Sequence, residues 1–215
     1  MNLYLIRHGR QNSTLCNVNV PLSEEGKQQA SLVGRRLSNY QIDAIVSSDL
    51  IRAKETASII QEELENANLR VKLEYFMDSD LREIDYGQLE GIENDEVKVK
   101  YNEYFAAQDK MREDLIIPGG ECGEEVYRRA MKAVHRIIEM DKDNVVIVTH
   151  GGTIRSLVSG LVGMKQAKRF LLGKTLENTG ITQLYYDKEK NRFYLERFND
   201  YAHLEADPKL LRKYF

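Results

Sequence analysis

Two rhythms of apolar residues run along the chain. Unbroken apolar runs at 3–6 and 145–148 have the length of buried strands rather than of helices. Between them, "PLSEEGKQQASLVGRRLSNY" sets Ala30, Val33 and Leu37 on one face, with Ser23 as N-cap and Glu24 and Glu25 in the first turn. That pattern predicts a helix. "IDAIVSS" then predicts a short buried strand. "DLIRAKETASIIQEELENA" spaces Leu50, Ala53, Ala57, Ile60 and Leu64 by three and four, a second helix. "VKLEY" predicts another short strand. A third helix opens at Glu124, with Val126, Ala130, Val134 and Ile137 on one face. After the strand at 145–149 a helix is expected from about Thr153, breaking near Gly163. The tail holds two strands, "GITQLYYD" and "RFYLERF", joined by the polar turn "KEKN".

Residues 78–122 break the rhythm. They are polar, weakly periodic and end in "IPGGE", with a helical signal inside "IENDEVKVKYNEYFAAQDKMRED". This reads as an excursion from the core, a lid or substrate-facing segment. Short strands alternating with helices predict an α/β sandwich around a largely parallel sheet. The 215 residues suit one domain carrying that excursion, and no internal repeat is visible.

Composition narrows the picture by exclusion. Charged residues make up 30% and apolar ones 42%, and 31 basic against 34 acidic residues give a net charge of -3. Neither a nucleic-acid partner nor a membrane surface is expected from this balance. No apolar run approaches the ~18 residues of a membrane span. Cys16 and Cys122 form no disulfide framework and no zinc pattern, and Cys122 reads as a small buried residue. The chain opens directly on its first strand, without the pattern of a signal peptide, so the cytoplasm is the expected compartment.

The chemistry lies where the strands end. The first run passes without a linker into Arg7, His8 and Gly9, and the later one into Thr149, His150, Gly151 and Gly152. In a parallel sheet both endings face the crevice where ligands bind. Arg7 brings a permanently charged fork that fits phosphate oxygens in pairs. Arg52 lies in the first turn of the helix after "IDAIVSS", and Gly151 and Gly152 open onto the helix after the second histidine. Helix N-termini favour anions. A neutral imidazole attacks phosphorus competently, arginines stabilise the transferring phosphoryl group, and a leaving alkoxide needs an acid. Glu83, at the start of the excursion, is the candidate acid, and partial burial is expected to keep its proton on near neutral pH.

Each of these residues has an ordinary alternative. A lone histidine is more often structural, and Arg52 or Glu83 alone would read as a solvated helix or loop charge. His8 next to Arg7, echoed by His150 at a second strand end, reverses that reading, because charge at a buried strand end needs a partner or a function. His135 and His203 are read as structural, and Tyr101, Tyr104 and Phe105 as packing the excursion onto the core.

Strand-R-H-G, "SSDLIRAKETA", "LREIDYGQLEG", "PGGE" and "VTHGG" occur in this order. Together they resemble the histidine phosphatase superfamily in its phosphoglycerate-mutase-like branch, from Leu3 to about residue 200. The resemblance implies a three-layer α/β/α sandwich and chemistry that needs neither metal nor cofactor. It implies that His8 is the residue phosphorylated, that Arg7, Arg52 and His150 complete the phosphate pocket, and that Glu83 donates the proton. Members usually follow R-H-G with Glu or Gln, then Thr or Ser, and an Asn further on. Here Arg10, Gln11 and Thr14 stand there, and the loop before "PLS" is shortened. Gln11, Asn12, Ser13 and Thr14 can all donate to phosphate. Arg10 is expected near the entrance, favouring a substrate with a second anionic group.

The expected activity is hydrolysis of a small-molecule phosphate monoester through a phosphohistidine at His8. The alternatives are a phosphoglycerate mutase, whose relatives are often longer around the excursion, and an inactive phosphate-binding relative, which should lack one of the site residues. Monomer and homodimer both stay open.

Overall fold

The computed structural model describes residues 1–68 and 72–212. Six strands form one sheet in the order β3-β2-β4-β1-β5-β6. They are β1 (Asn2–Arg7), β2 (Ala44–Ser47), β3 (Glu74–Met77), β4 (Asn144–Thr149), β5 (Ile181–Asp187) and β6 (Arg192–Asp200). The first four are mutually parallel, and β5 runs antiparallel to both β1 and β6.

Alternation along the central strands makes the layers. Leu3, Leu5, Val145 and Ile147 point into one core with Ala130, Val134, Ile137, Ile154 and Leu157. Their neighbours Tyr4, Ile6, Val146 and Val148 point into a second core with Val33, Leu37, Ala53, Ala57 and Ile60. Because β1 and β4 are buried on both faces, they read as continuous apolar runs. The first core belongs to α5 (Gly123–Glu139) and α6 (Gly151–Leu161), the second to α1 (Glu24–Leu37) and α2 (Ile51–Ala67). The result is the expected α/β/α sandwich. Ser23 caps α1 by accepting from the Gly26 N–H.

Three elements differ from the pattern. The strand expected at "VKLEY" lies at Glu74–Met77, and Val71 falls outside the described residues. Leu73 is tied to α2 instead of the sheet: its N–H donates to Glu65 and its carbonyl accepts from Gln61. Leu50 precedes α2 as its N-cap, with its N–H donated to the Ser48 hydroxyl, and is not on the helix face. The last helix before the tail begins at Gly151, earlier than Thr153, which brings its N-terminus next to His150.

The excursion holds two short helices, α3 (Asn94–Lys100) and α4 (Asn102–Asp109), separated at Tyr101. Tyr101, Tyr104 and Phe105 pack against a small third core of Cys16, Ile84, Leu89, Val97, Ile117 and Val126. Buried Arg169 pairs with Asp114 at 2.5 Å, and Asp114 also accepts from the Gly123 and Glu124 N–H groups at the start of α5. That junction fixes the end of the excursion to the sandwich.

Candidate active site

The register of β1 and β4 puts Arg7 opposite Thr149, so His8 and His150 leave the sheet side by side. Their ring centroids are 5.0 Å apart. The His8 N–H donates to the Thr149 carbonyl, and the Ser48 N–H to that of Val148, which extends the pairing one step past the strand ends. A cavity of about 710 Å³ opens over this edge, with Arg7, His8, Arg52, Glu83 and Gly151 in its wall. That is the size of a small-molecule site.

His8 is buried, and its tautomer is fixed from both sides. Nδ1 lies 2.7 Å from the Gly9 carbonyl oxygen, which can only accept, so Nδ1 carries the proton. Nε2 accepts from the Arg52 Nε–H at 3.2 Å. Burial, then the Arg52 and Arg7 guanidiniums, hold the imidazole well below the ordinary histidine range. The ring is therefore neutral at neutral pH, with its Nε2 lone pair facing the cavity wall that carries Arg52. His150 is buried as well; its Nε2 meets the Ser48 hydroxyl at 2.9 Å while Nδ1 has no partner. Burial and then His8 depress it likewise.

Arg52 is held by the loop after β1: Nη1 donates to the Val18 carbonyl and Nη2 to the Asn17 side chain. Arg7 donates through Nη1 to the Leu176 carbonyl, and its buried Nε has no partner. Burial and the Arg212 and Arg155 cations lower Arg7 to about 9, with Glu83 and Glu177 acting in opposition. It stays charged at pH 7.

Glu83 is aimed by its surroundings. Its carboxylate accepts from the N–H groups of Gly152 and Thr153 at the start of α6, both at 3.3 Å, and from Ile84 at 2.9 Å. The loop carrying it is clamped by three side chains. Arg129 donates to the carbonyls of Asp80, Arg82 and Glu83, Thr149 to that of Leu81, and Thr153 to that of Arg82. A Cβ at Gly152 would stand 2.5 Å from Glu83 Oε1, so only glycine lets the carboxylate sit there. Gly151 has ordinary room, with Arg7 Nε 3.6 Å from such a Cβ. Gly9 is required by packing: its Cβ would meet the Gly26 carbonyl of α1 at 2.5 Å.

The structure therefore gathers Arg7, His8, Arg52, Glu83, His150 and Gly151. The loop residues separate. Gln11 and Ser13 line the cavity, with the Gln11 amide donating to the Ser13 and Leu15 carbonyls. Asn12 and Thr14 lie exposed outside the cavity wall, and the Thr14 carbonyl serves as an acceptor for Asn94. The Asn12 N–H donates to the Pro21 carbonyl at 2.9 Å. Arg10 borders the cavity, but its Nη2 donates to the Leu210 and Leu211 carbonyls, both at 3.1 Å, which redirects it toward the C-terminal tail.

Sequence reasoning missed Asn17, Ser48, Glu177, Asn178 and Arg212. Glu177 is fully buried and accepts from the Asn178 and Arg212 backbone N–H groups, while the Asn178 amide donates to the His8 carbonyl. Among the described residues no group of three His, Cys, Asp or Glu side chains lies close enough to hold a metal, and no helix is long and apolar enough to cross a membrane. Cys122 is buried, and burial raises its thiol.

A neutral, oriented imidazole between two guanidiniums, faced by a carboxyl group and a helix N-terminus, defines a site for a phosphate ester. The chain belongs to the histidine phosphatase superfamily (branch 1), whose sequence profile matches residues 3–200. It is 38% identical to phosphoglycerate mutase-like protein 4 of Arabidopsis thaliana over 163 residues, 72% of this chain and 68% of that protein. It is 30% identical to the probable phosphoglycerate mutase GpmB of Salmonella choleraesuis over 96% of both chains. Among solved structures it resembles the mycobacterial glucosyl-3-phosphoglycerate phosphatase in complex with inorganic phosphate. That match has a TM-score of 0.80 at 28% identity and covers 94% of this chain and 98% of that one.

Proposed function

We propose that the protein is a phosphatase that hydrolyses a small-molecule phosphate monoester through a phosphohistidine at His8. The observation that carries this reading is the doubly fixed tautomer of His8, which leaves Nε2 unprotonated beside Arg52. In the first half-reaction Nε2 attacks phosphorus and the ester P–O bond breaks. The departing alkoxide takes its proton from Glu83. Arg7, Arg52, His150 and Gly151 at the start of α6 hold the phosphoryl oxygens as charge spreads over them. In the second half-reaction water attacks phosphorus, its proton passes to Glu83, and the P–N bond breaks to return neutral His8 and inorganic phosphate.

The 78–122 excursion is the substrate-facing wall of this single domain, since Ile84, Leu89, Val97 and Phe105 line the cavity. Its partner is a small phosphorylated molecule, and its proposed compartment is the cytoplasm. Release of inorganic phosphate from a panel of small esters is the expected result, and His8→Ala should reduce it by about four orders of magnitude or more. Equal turnover by that variant would sink the proposal.

The mutase reading has its support in the names borne by the Arabidopsis and Salmonella relatives. Retention of the phosphoryl group requires water to be kept from the intermediate. Interconversion of 3- and 2-phosphoglycerate measured against phosphate release separates the two. An inactive relative is disfavoured, because each residue of the set is present and gathered.

A further inference from the structure

Ser48 follows β2 directly, and its backbone is held on both sides. Its N–H donates to the Val148 carbonyl at 2.9 Å, and its carbonyl accepts from the Ser47 hydroxyl at 3.0 Å. The Tyr75 hydroxyl lies 2.7 Å from that of Ser47 and steadies it in turn. Ser47 pairs with Val148 across β2 and β4, so the residue after β2 reaches the histidine that follows β4. Ser48 is fully buried, and its hydroxyl oxygen meets two groups: the Leu50 N–H at 3.3 Å and His150 Nε2 at 2.9 Å.

Few arrangements of protons fit this cluster. The Leu50 N–H can only donate, so the Ser48 oxygen accepts there. Burial, then His8, Arg52, Arg7 and Arg129, keep the His150 ring neutral, with one nitrogen a donor and the other an acceptor. With the proton on Nε2, the Ser48 hydroxyl would lack an acceptor and Nδ1 would be a buried acceptor lacking a donor. With Ser48 donating to Nε2, the one group unmet among the described residues is the buried Nδ1–H. Leaving one buried polar group unmet costs less than leaving two, so the second arrangement prevails. The unmet donor also has company. Arg7, which ends β1 opposite Thr149, keeps a buried Nε–H without a partner among the described residues. Both donors belong to neighbours of His8, and the His8 and His150 ring centroids are 5.0 Å apart. Unmet donors gathered beside one nucleophile call for an anion there.

We propose that Ser48 is the positioning residue of His150: by donating to Nε2 it keeps the proton on Nδ1, and that N–H donates to a phosphoryl oxygen at His8. The proposal rests on the reading of His8 as the residue phosphorylated, and it assigns the interaction of His150 to one atom. Two rings in the same tautomer then do opposite things. His8 gives the lone pair of Nε2 to phosphorus, and His150 gives the Nδ1 hydrogen bond to an oxygen on it. Ser48 touches neither substrate nor phosphoryl group, and its effect passes through the ring.

NMR of the imidazole nitrogens reads the tautomer without turnover. Near neutral pH the wild-type protein should show His150 with Nδ1 protonated and Nε2 bare. Its Nδ1 proton should move downfield at saturating inorganic phosphate. Ser48→Ala should admit the Nε2–H form and lower kcat for phenyl phosphate about tenfold or more, with KM nearly unchanged. Ser48→Thr or Ser48→Cys, which keep a donor at the same position, should restore the Nδ1–H form and part of kcat. The start of α2 also leans on Ser48 through Leu50, so the His8 nitrogens serve as monitors of Arg52 and should stay in place in Ser48→Ala. A wild-type Nε2–H form, an Nδ1 proton indifferent to phosphate, or an unmoved tautomer or kcat in Ser48→Ala would each overturn the proposal. So would displaced His8 signals in that variant, or failure of both donor-keeping variants to restore the tautomer. Phosphate release from phenyl phosphate, lost in His8→Ala, reports separately on the parent reading.

Discussion

Arg52 points its Nε–H at His8 Nε2 from 3.2 Å, so the lone pair proposed to attack phosphorus is hydrogen-bonded before substrate arrives. Burial, and then this contact, keep His8 neutral. A phosphoryl group entering the pocket offers Arg52 a better, anionic acceptor and frees Nε2 at the same moment.

Arg52→Ala should therefore have two effects. Loss of a guanidinium from the phosphoryl group should lower kcat by about 10²–10³-fold. Removal of the positive charge should also raise the His8 pKa, visible as an upward move in the NMR titration of its ring protons. A kcat loss with an unmoved His8 titration would show that Arg52 does not face the imidazole in solution.

Gly152 makes room for Glu83. Gly152→Ala places a methyl group 2.5 Å from Glu83 Oε1 in the present geometry, so the carboxyl must leave its seat. Alkyl phosphates need the acid, and their turnover should fall about 10²–10⁴-fold. p-Nitrophenyl phosphate, whose leaving group departs unprotonated, should fall much less. Equal losses for both substrates would remove Glu83 from the role of proton donor.

Asp114 neutralises the buried Arg169 and caps α5. Asp114→Ala leaves that cation uncompensated and should cost about 3–5 kcal/mol in denaturant unfolding. A loss below about 1 kcal/mol would show that water replaces the carboxylate.

Acid stability follows from three histidines. Burial lowers His8 and His150 well below the ordinary value, and burial with Arg36 lowers His203 to about 4. Below about pH 6.5 the unfolded chain binds protons at these rings that the folded chain refuses. Their contribution to stability is full above that pH and is lost as pH falls toward the folded values. Unfolding free energy should drop from pH 6.5 to 4, and His203→Gln should reduce the slope by about one proton. An identical slope in that variant would place His203 in solvent.

The central strands and the site edge were legible because β1 and β4 are buried on both faces and end in the same chemistry. Arg7, His8, Arg52 and His150 needed only the parallel order to be brought together. β3 was misplaced because Leu73 satisfies its backbone through Glu65 and Gln61, pairings that no periodicity displays. Arg10 was legible as a cation but not as an anchor, since its partners lie 200 and 201 residues away. Arg212 carries no local signal. Its place depends on the Leu210 and Leu211 carbonyls and on its own N–H, backbone groups that reveal nothing in the sequence.

The alignment of Arg7 with Thr149 has a consequence for how the protein can be assayed. A slip of one residue between β1 and β4 would turn one imidazole to the opposite face of the sheet while leaving the apolar runs paired. Such a molecule would be compact, strand-rich and catalytically silent. Specific activity after refolding therefore counts only chains whose central strands have paired correctly, whereas circular dichroism counts them all.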